Sequence, residues 1–332
     1  MTTFKAFRIH EDGGKISARF EDLTLDALSP GEVVIRVAYS DINYKDALAA
    51  TGAGKILRRY PLVGGIDLSG IVVSSEDARF RPGDAVLVTG SGLSETVDGG
   101  YAEFARVSGE SVIPMPPGLD SLRAMQLGTA GFTAALAIDH MERNGQSPHR
   151  GPIVVTGATG GVGSIAIDML AARGYEVVAV TGKADSAEYL KSLGASKVVM
   201  RGELALGTKP LEAARFAGAI DNVGGDMLAG LTRHMDFGGN IASIGLTGGY
   251  DLKITVMPFI LRGINLLGIN STATMRAERL EVWQRIATDL AARHLARSAS
   301  RTIAFAELPG AFPAYIEGKV TGRTVVKIAA QP

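Results

Sequence analysis

The chain has 332 residues, 46% of them hydrophobic, so it can bury a large core and is long enough for two domains. Its 34 basic and 34 acidic residues give a formal net charge of +0, which argues against a nucleic-acid binder, and its lack of cysteine excludes disulfides, thiol nucleophiles and thiolate zinc sites. Residues 1–8 hold no signal core and no apolar run reaches the roughly 18 residues of a membrane span, so we predict a soluble cytoplasmic protein with no membrane segment.

Short β-prone runs dominate the chain before Leu122. They cover residues 33–37, 70–73, 85–88 and 101–105, and turn signals such as Arg81-Pro82-Gly83-Asp84 separate them. This pattern predicts a small, irregular β-barrel.

From Leu122 onward, helical and strand patterns alternate, which is typical of a parallel sheet covered on both faces. The predicted strands are residues 153–156, 176–181, 197–200, 219–221, 240–244 and 265–269. Residues 277–293 predict a helix, with one apolar face formed by Leu280, Trp283, Ile286, Ala287 and Leu290. Residues 323–328 alternate again and predict a strand that returns to the first domain.

The most informative segment runs from Ile153 to Ala166, where an apolar strand meets glycines and then an apolar helical pattern. Ala158, Gly160 and Gly163 match a dinucleotide fingerprint with alanine in the first glycine position. Glycines let the backbone approach a pyrophosphate, and the N-terminus of the following helix faces that anion. The segment therefore predicts a dinucleotide cradle, and the alternative is a tight turn that only packs well.

The same segment also resembles the glycine motif of the short-chain dehydrogenases, and Tyr315 with Lys319 imitates their catalytic pair. We reject this interpretation because a whole β-rich region precedes the cradle. Pro309, Pro313 and Gly318 also argue against one continuous helix through Tyr315 and Lys319.

The end of the second predicted strand indicates which cofactor is bound. An NAD site usually has an acid there, roughly 20 residues past the glycines, whereas this chain has Thr181, Gly182 and Lys183. A hydroxyl, a backbone N–H and an ammonium suit a 2′-phosphate, and Arg201 after the next strand would close over it. The residues favour NADPH; the alternative is that Lys183 and Arg201 are ordinary solvated charges.

The order of a β-rich domain, a late cradle and a returning strand resembles the medium-chain dehydrogenase/reductases over essentially the whole chain. The turn at residues 81–86 resembles one that those proteins carry before a barrel strand. Their zinc members have a Cys ligand and a Gly-His-Glu run where this sequence has residues 41–46 and Gly65-Ile66-Asp67. The resemblance implies an α/β fold: a Rossmann-type doubly wound parallel sheet at 126–299, and a GroES-like irregular β-barrel catalytic domain at 1–125 completed by 300–332, with no metal.

Four segments are similar to the zinc-free branch of NADPH-dependent acryloyl-CoA reductases: residues 43–52, 128–134, 256–262 and 322–324. That similarity implies NADPH-dependent reduction of acryloyl-CoA to propanoyl-CoA, with a hydride to the β-carbon and a proton to the α-carbon. It implies NADPH contacts at Tyr44, Thr159, Gly160, Gly161, Val162, Thr181, Gly182, Lys183, Arg201, Leu246 and Asn270.

Tyr44 is the main catalytic candidate, because its phenol could orient the nicotinamide or relay a proton. Asn43 and Asp46 are further candidates for the catalytic site, where we expect them to brace the loop. Lys55, Arg58 and Arg323 are candidates for the phosphates of coenzyme A.

Two other functions stay open at this point: a quinone or enone reductase, and a non-catalytic NADPH-binding protein. By resemblance, residues 265–269 predict a homodimer paired edge to edge.

Overall fold

The structure is a computed structural model and describes residues 3–329. Its strands are β1 (Phe4–Asp12), β2 (Lys15–Leu23), β3 (Val33–Ile42), β4 (Leu62–Val63), β5 (Asp67–Ser75), β6 (Ala85–Thr89), β7 (Phe104–Val107), β8 (Ile113–Pro114), β9 (Ile153–Val155), β10 (Val177–Thr181), β11 (Lys197–Met200), β12 (Phe216–Asp221), β13 (Met235–Ser243), β14 (Asn265–Gly268), β15 (Arg301–Ala304) and β16 (Thr324–Lys327).

The α-helices are α1 (Tyr44–Thr51), α2 (Ser121–Arg143), α3 (Gly161–Ala172), α4 (Ala187–Ser192), α5 (Gly225–Thr232), α6 (Met257–Arg262), α7 (Arg276–Ile286), α8 (Leu295–Ser298) and α9 (Leu308–Ile316). Helix α2 is interrupted at Gly128, whose φ of 53° and ψ of −155° are not helical. Among residues 3–329, no helix is both long and apolar enough to cross a membrane.

The chain folds into two compact units. The first unit comprises Met1–Thr129, Ser271–Trp283 and Ala299–Pro332, and the second comprises Ala130–Asn270 and Gln284–Ser298. Residues 271–283 fall in the range predicted for the second domain. They group with the first unit, where Arg276 donates to the carbonyl of Val112 and Arg279 donates to that of Thr89.

The first unit is a β-rich body made of a three-stranded sheet, in the order β2-β1-β4, and a seven-stranded sheet. The larger sheet has the order β15-β16-β3-β5-β6-β8, with β7 also paired to β3. Its core is apolar and partly aromatic; Phe7 contacts Phe20, Tyr101 and Phe312 at centroid distances of 5.2 to 6.4 Å. Strand β16 pairs antiparallel with β3, which confirms the predicted return of the C-terminal strand.

The second unit is a six-stranded parallel sheet in the order β11-β10-β9-β12-β13-β14. Every residue of β9 and β12 is buried, as expected for central strands with both faces covered. The predicted fold class, a Rossmann-type sheet plus a β-rich domain, is confirmed.

Some local predictions differ from the structure. The hairpin of β1 and β2, joined at Gly13 and Gly14, was not predicted. The predicted helix 277–293 ends at Ile286, because the amides of Thr288 and Leu290 both turn back to the carbonyl of Arg285. Helix α9 includes Pro313 and Tyr315 but ends at Ile316. Tyr315 and Lys319 therefore do not lie on one helix.

Candidate functional site

The carboxyl ends of the six parallel strands lie at one edge of the second unit's sheet. The predicted cofactor residues of that unit follow five of these strands: the cradle after β9, Thr181 to Lys183 at the end of β10, Arg201 after β11, Leu246 after β13 and Asn270 after β14. In open α/β sheets this edge binds ligands where the strand order reverses. The structure therefore brings these residues to the edge where a dinucleotide binds.

The cradle has the backbone geometry that the sequence predicts. Helix α3 begins at Gly161, directly after Gly160, and the first amides of a helix have no partner within it. Gly157 has a φ of 58°, which favours glycine, and a Cβ on Gly163 would overlap the carbonyl oxygen of Gly157. These residues fit a pyrophosphate bound to backbone amides at the N-terminus of a helix.

The ends of β10 and β11 bring two cations together. Thr181 pairs in register with Met200, so the residues that follow each strand are neighbours. The guanidinium of Arg201 packs against Gly182, with its Cζ 3.5 Å from where a Cβ of residue 182 would lie. Burial lowers the pKa of Lys183, while Asp185 raises it. A bound phosphate would stabilise both cations, so this end of the sheet fits a 2′-phosphate.

Thr181 is buried at the end of β10, and its hydroxyl oxygen accepts the amide of Lys183 at 3.0 Å. The hydroxyl therefore shapes the turn that carries Gly182 and Lys183. A contact between this hydroxyl and a phosphate stays a prediction.

The remaining strand end, after β12, carries a polar pair that the sequence analysis missed. Thr156 donates to Asp221 at 2.6 Å, and the side chain of Asn222 donates to the carbonyl of Thr156 at 2.8 Å. Burial raises the pKa of Asp221, and its hydrogen bonds lower it. The signal was the Asp-Asn pair that ends an otherwise apolar strand next to the glycine turn.

In the first unit, Tyr44 is the first residue of α1 and its side chain is 45% exposed. Asp46 is buried in the same helical turn, where its carboxylate accepts the amides of Asn43 at 2.8 Å and Ile66 at 2.9 Å. Burial raises the pKa of Asp46 to about 7, although the Asn43 amide lowers it. Asp46 thus fixes the start of the helix that presents Tyr44.

Arg323 lies inside the protein, contrary to its predicted place at the phosphates of coenzyme A. It is only 3% exposed, and its Nη2 lies 2.7 Å from Oδ2 of Asp41. Its Nη1 donates to Oδ1 of Asn43 at 2.9 Å. A guanidinium enclosed in this way offers no surface to a phosphate, so the expectation that Arg323 binds coenzyme A is replaced by a role inside the protein.

The segments where zinc members of the resembled superfamily carry ligands meet in this cluster. Asn43 donates to Oδ2 of Asp67 at 2.9 Å, and Thr129 donates to Asp67 through its amide at 2.7 Å and its hydroxyl at 2.5 Å. These carboxylate oxygens are already taken by N–H and O–H donors, and Arg323 supplies the positive charge beside them. The residues do not fit a zinc ion.

Lys55 and Arg58, the exposed basic candidates, lie on a loop that contacts Glu95, and Glu95 contacts the residue after Tyr44. Lys55 and Arg58 are exposed, and the amide of Arg58 donates to the carbonyl of Glu95 at 2.8 Å. The carboxylate of Glu95 forms an ion pair with Lys45, the residue after Tyr44. Glu95 therefore links the backbone of Arg58 to the residue that follows Tyr44.

Two family descriptions match the chain: Alcohol dehydrogenase GroES-like domain at residues 29–117, and Zinc-binding dehydrogenase at residues 161–288. Acrylyl-CoA reductase AcuI of Ruegeria pomeroyi is 46% identical to the chain, over 96% of this chain and 97% of that protein. The putative quinone oxidoreductase YhfP of Bacillus subtilis is 45% identical, over 98% of this chain and 99% of that protein.

Two solved structures are similarly close. The structure of YhdH from E. coli K-12 with bound NADPH is 47% identical with a TM-score of 0.94, and the match covers 98% of this chain and 100% of that one. The structure of B. subtilis YhfP with NAD bound is 45% identical with a TM-score of 0.96, over 98% and 100% of the two chains.

Proposed function

The chain belongs to the medium-chain dehydrogenase/reductase superfamily, and from that membership we propose that it is a zinc-independent, NADPH-dependent acryloyl-CoA reductase. The observation that carries the proposal is the 46% identity to AcuI over 96% of this chain. When bound, NADPH supplies the hydride that adds to the β-carbon of the acryloyl thioester, and a proton added to the α-carbon completes propanoyl-CoA.

The chain's own residues account for how the cofactor is held. The amides of Gly161 and Val162 at the start of α3 face the pyrophosphate, while Thr159 and Gly160 shape the approach. Lys183 and Arg201 bind the 2′-phosphate beside Gly182. Leu246 and Asn270 follow neighbouring strands at the same edge and line the nicotinamide end.

Tyr44 is the residue that we assign to the chemistry. The residue is half-exposed at the start of α1, so its phenol is open to a bound molecule. The phenol orients the cofactor and relays the proton. Asn43 and Asp46 act through Tyr44 by fixing the start of its helix.

Lys55 and Arg58 bind the phosphates of coenzyme A. Both are exposed cations. Their loop contacts Glu95, which in turn contacts Lys45, the residue after Tyr44. An anionic group on the substrate would be attracted to this surface while the thioester reaches Tyr44.

A second candidate function is a quinone or enone reductase, which the identity of 45% to the putative quinone oxidoreductase YhfP favours. Such an enzyme would use the same cradle but would need no site for coenzyme A phosphates. A third candidate, a non-catalytic NADPH-binding protein, would keep the cradle and show no turnover.

A substrate panel separates these functions. Purified protein is given acryloyl-CoA, crotonyl-CoA, free acrylate and a simple quinone, each with NADPH and with NADH, and cofactor oxidation is followed. We expect acryloyl-CoA with NADPH to be consumed far faster than free acrylate or the quinone. Comparable rates on all acceptors would support the general reductase, and NADPH binding without turnover would support the non-catalytic protein.

We also propose a homodimer in the cytoplasm. Strand β14 ends the order of the six-stranded sheet, so one of its backbone edges has no partner among the described strands. Val256, Ile260 and Leu261, which precede that strand, expose 52 to 73% of their apolar surface. Two β14 strands paired across a two-fold axis would cover both features.

A further inference from the structure

Arg323 lies at the centre of a buried polar cluster beneath the start of α1. Its Nη2 reaches Asp41, and its Nη1 donates to Oδ1 of Asn43 and, at 3.3 Å, to the carbonyl of Ile42. Two of these three partners, Ile42 and Asn43, are the residues just before Tyr44. The C-terminal segment therefore contacts the backbone and the side chain that lead into the helix.

Asn43 occupies the position before the first helical residue, where asparagine usually accepts an amide of the helix with its side chain. Its Nδ2 donates to Asp41 at 2.8 Å and to Asp67 at 2.9 Å, while Oδ1 accepts from Arg323. Since a guanidinium only donates and a carboxylate accepts, these partners fix which way the amide points. The asparagine thus links Arg323 to the start of α1.

The cluster is packed tightly against the chain at Gly128 and Thr129. A Cβ on Gly128 would overlap the side chains of Asp41 and Arg323. Asp67 is held from the same side by the amide and hydroxyl of Thr129. Arg323 and the two carboxylates are therefore packed closely against the chain at Gly128 and Thr129, and Asn43 is the partner of Arg323 that leads directly into α1.

We propose that Arg323 is a positioning residue for Tyr44: it holds Asn43, and through Asn43 the first turn of α1, in the orientation that presents the phenol. The inference rests on the proposed role of Tyr44 at the cofactor. Arg323 touches neither substrate nor cofactor. It supplies the cation that lets two buried carboxylates and an amide form one fixed support.

A double-mutant cycle tests this. Arg323→Lys keeps the charge but cannot reach Asp41 and Asn43 as a two-pronged donor. If Arg323→Lys fails to fold, the pair Asp41→Asn with Arg323→Met removes the cation together with the carboxylate closest to it, while Asp67 keeps its donors on Asn43 and Thr129. Each is combined with Tyr44→Ala, and the turnover number, the NADPH dissociation constant and the melting temperature are measured for every variant.

We expect each change at Arg323 to weaken turnover or NADPH affinity about tenfold when Tyr44 is present, and less than about twofold when residue 44 is alanine. Losses by the same factor with and without Tyr44 would overturn the inference and leave Arg323 with a purely structural role. Arg106→Met is the matched control, since Arg106 also donates to buried backbone carbonyls of the first unit, at Leu28 and Ser29. Its effect should not depend on residue 44.

The two readouts separate this inference from the proposed function. The NADPH dissociation constant does not depend on which acceptor is reduced. If acryloyl-CoA is not a substrate, the proposed function fails while the cycle on NADPH binding still decides the role of Arg323. If acryloyl-CoA is reduced, but a change at Arg323 costs the same factor with Tyr44 as with alanine at position 44, the positioning role is wrong and the proposed function stands.

Discussion

The guanidinium of Arg201 packs against Gly182, with Cζ 3.5 Å from where a Cβ of residue 182 would lie. Because Met200 and Thr181 are paired across two parallel strands, Arg201 and Lys183 extend from neighbouring strand ends. This relationship gives the second unit two cations beside one backbone amide, which is the arrangement that a phosphate ester requires.

Changing Lys183 and Arg201 together to alanine should raise the Michaelis constant for NADPH strongly and leave any NADH activity nearly unchanged. Each charge-assisted contact is expected to contribute about 1.5–3 kcal/mol, so each loss is at least roughly tenfold. Steady-state kinetics with both cofactors measures this. Lys191→Ala, an exposed lysine on α4, is the control. Equal losses with both cofactors would show that the two cations support the fold instead.

Gly163→Ala should weaken binding of NADPH and NADH alike, because the added Cβ would overlap the carbonyl of Gly157 and distort the turn common to both pyrophosphates. Gly310→Ala is the control, since a Cβ there meets nothing within 4 Å and alanine favours the helix by about 1 kcal/mol. Fluorescence titration with each cofactor measures the effect. Unchanged affinity in the Gly163 variant would argue against the cradle.

Tyr44→Phe should lower turnover at least about tenfold, because we assign its hydroxyl to the chemical step, with little change in melting temperature because the residue is half-exposed. Pre-steady-state oxidation of NADPH with acryloyl-CoA measures the step itself. Tyr39→Phe, on β3 of the same unit, is the control. Normal turnover in the phenylalanine variant would show that Tyr44 only packs against the cofactor.

The stability of the first unit should fall as the pH rises from about 4 to 7. Burial raises the pKa of Asp46 from its ordinary 3.8 to about 7, so the folded state holds a proton that the unfolded state has released. The contribution of Asp46 to the free energy of unfolding is fully present below pH 3.8 and is lost as the pH rises through about 7, by up to about 4 kcal/mol. Burial also raises the pKa of Asp41, which acts in the same direction.

Urea unfolding followed by the fluorescence of Trp283, the chain's single tryptophan, measures this because Trp283 is buried in the first unit. Asp46→Asn should make the free energy of unfolding less dependent on pH between pH 4 and 7, without abolishing that dependence. Asp77→Asn should leave that range unchanged, since hydrogen bonds from Arg79 lower the pKa of Asp77 to about 2. An unaltered slope in the Asp46 variant would contradict the assignment.

Ile260→Glu should convert the proposed dimer to monomer, because a carboxylate would be buried where the apolar surface before β14 meets its copy. Light scattering after size-exclusion chromatography measures the mass. Val73→Glu changes an exposed apolar residue of the first unit and should leave the mass unaltered. A wild-type chain that elutes as a monomer at micromolar concentration would refute the dimer.

Much of the cofactor site was predictable, because its residues follow strands whose apolar patterns are strong. The cradle, Lys183 and Arg201 depend on strand ends, and parallel strands bring their ends to one edge whatever the rest of the fold does. The hairpin of β1 and β2 was missed because its residues alternate weakly and β2 has only one buried residue, Leu23.

Arg323 shows where local sequence reasoning fails. The sequence marks it as a polar group near a predicted site, and it contains no information on whether that group faces solvent or other protein groups. Arg323 meets Asp41 only because β16 pairs with β3, a contact between residues nearly 300 positions apart.

The sequence by itself determined the class of fold, the dinucleotide cradle and the preference for a phosphorylated cofactor, because glycine spacing and strand-end residues act locally. Only the tertiary structure decided what the charges near Tyr44 do. Asp41, Asp67 and Arg323 are brought together by strand pairing and burial, and in a buried environment charges must find partners. The cluster that results contacts the residues that lead into α1 and encloses Arg323, whereas Lys55 and Arg58 stay exposed.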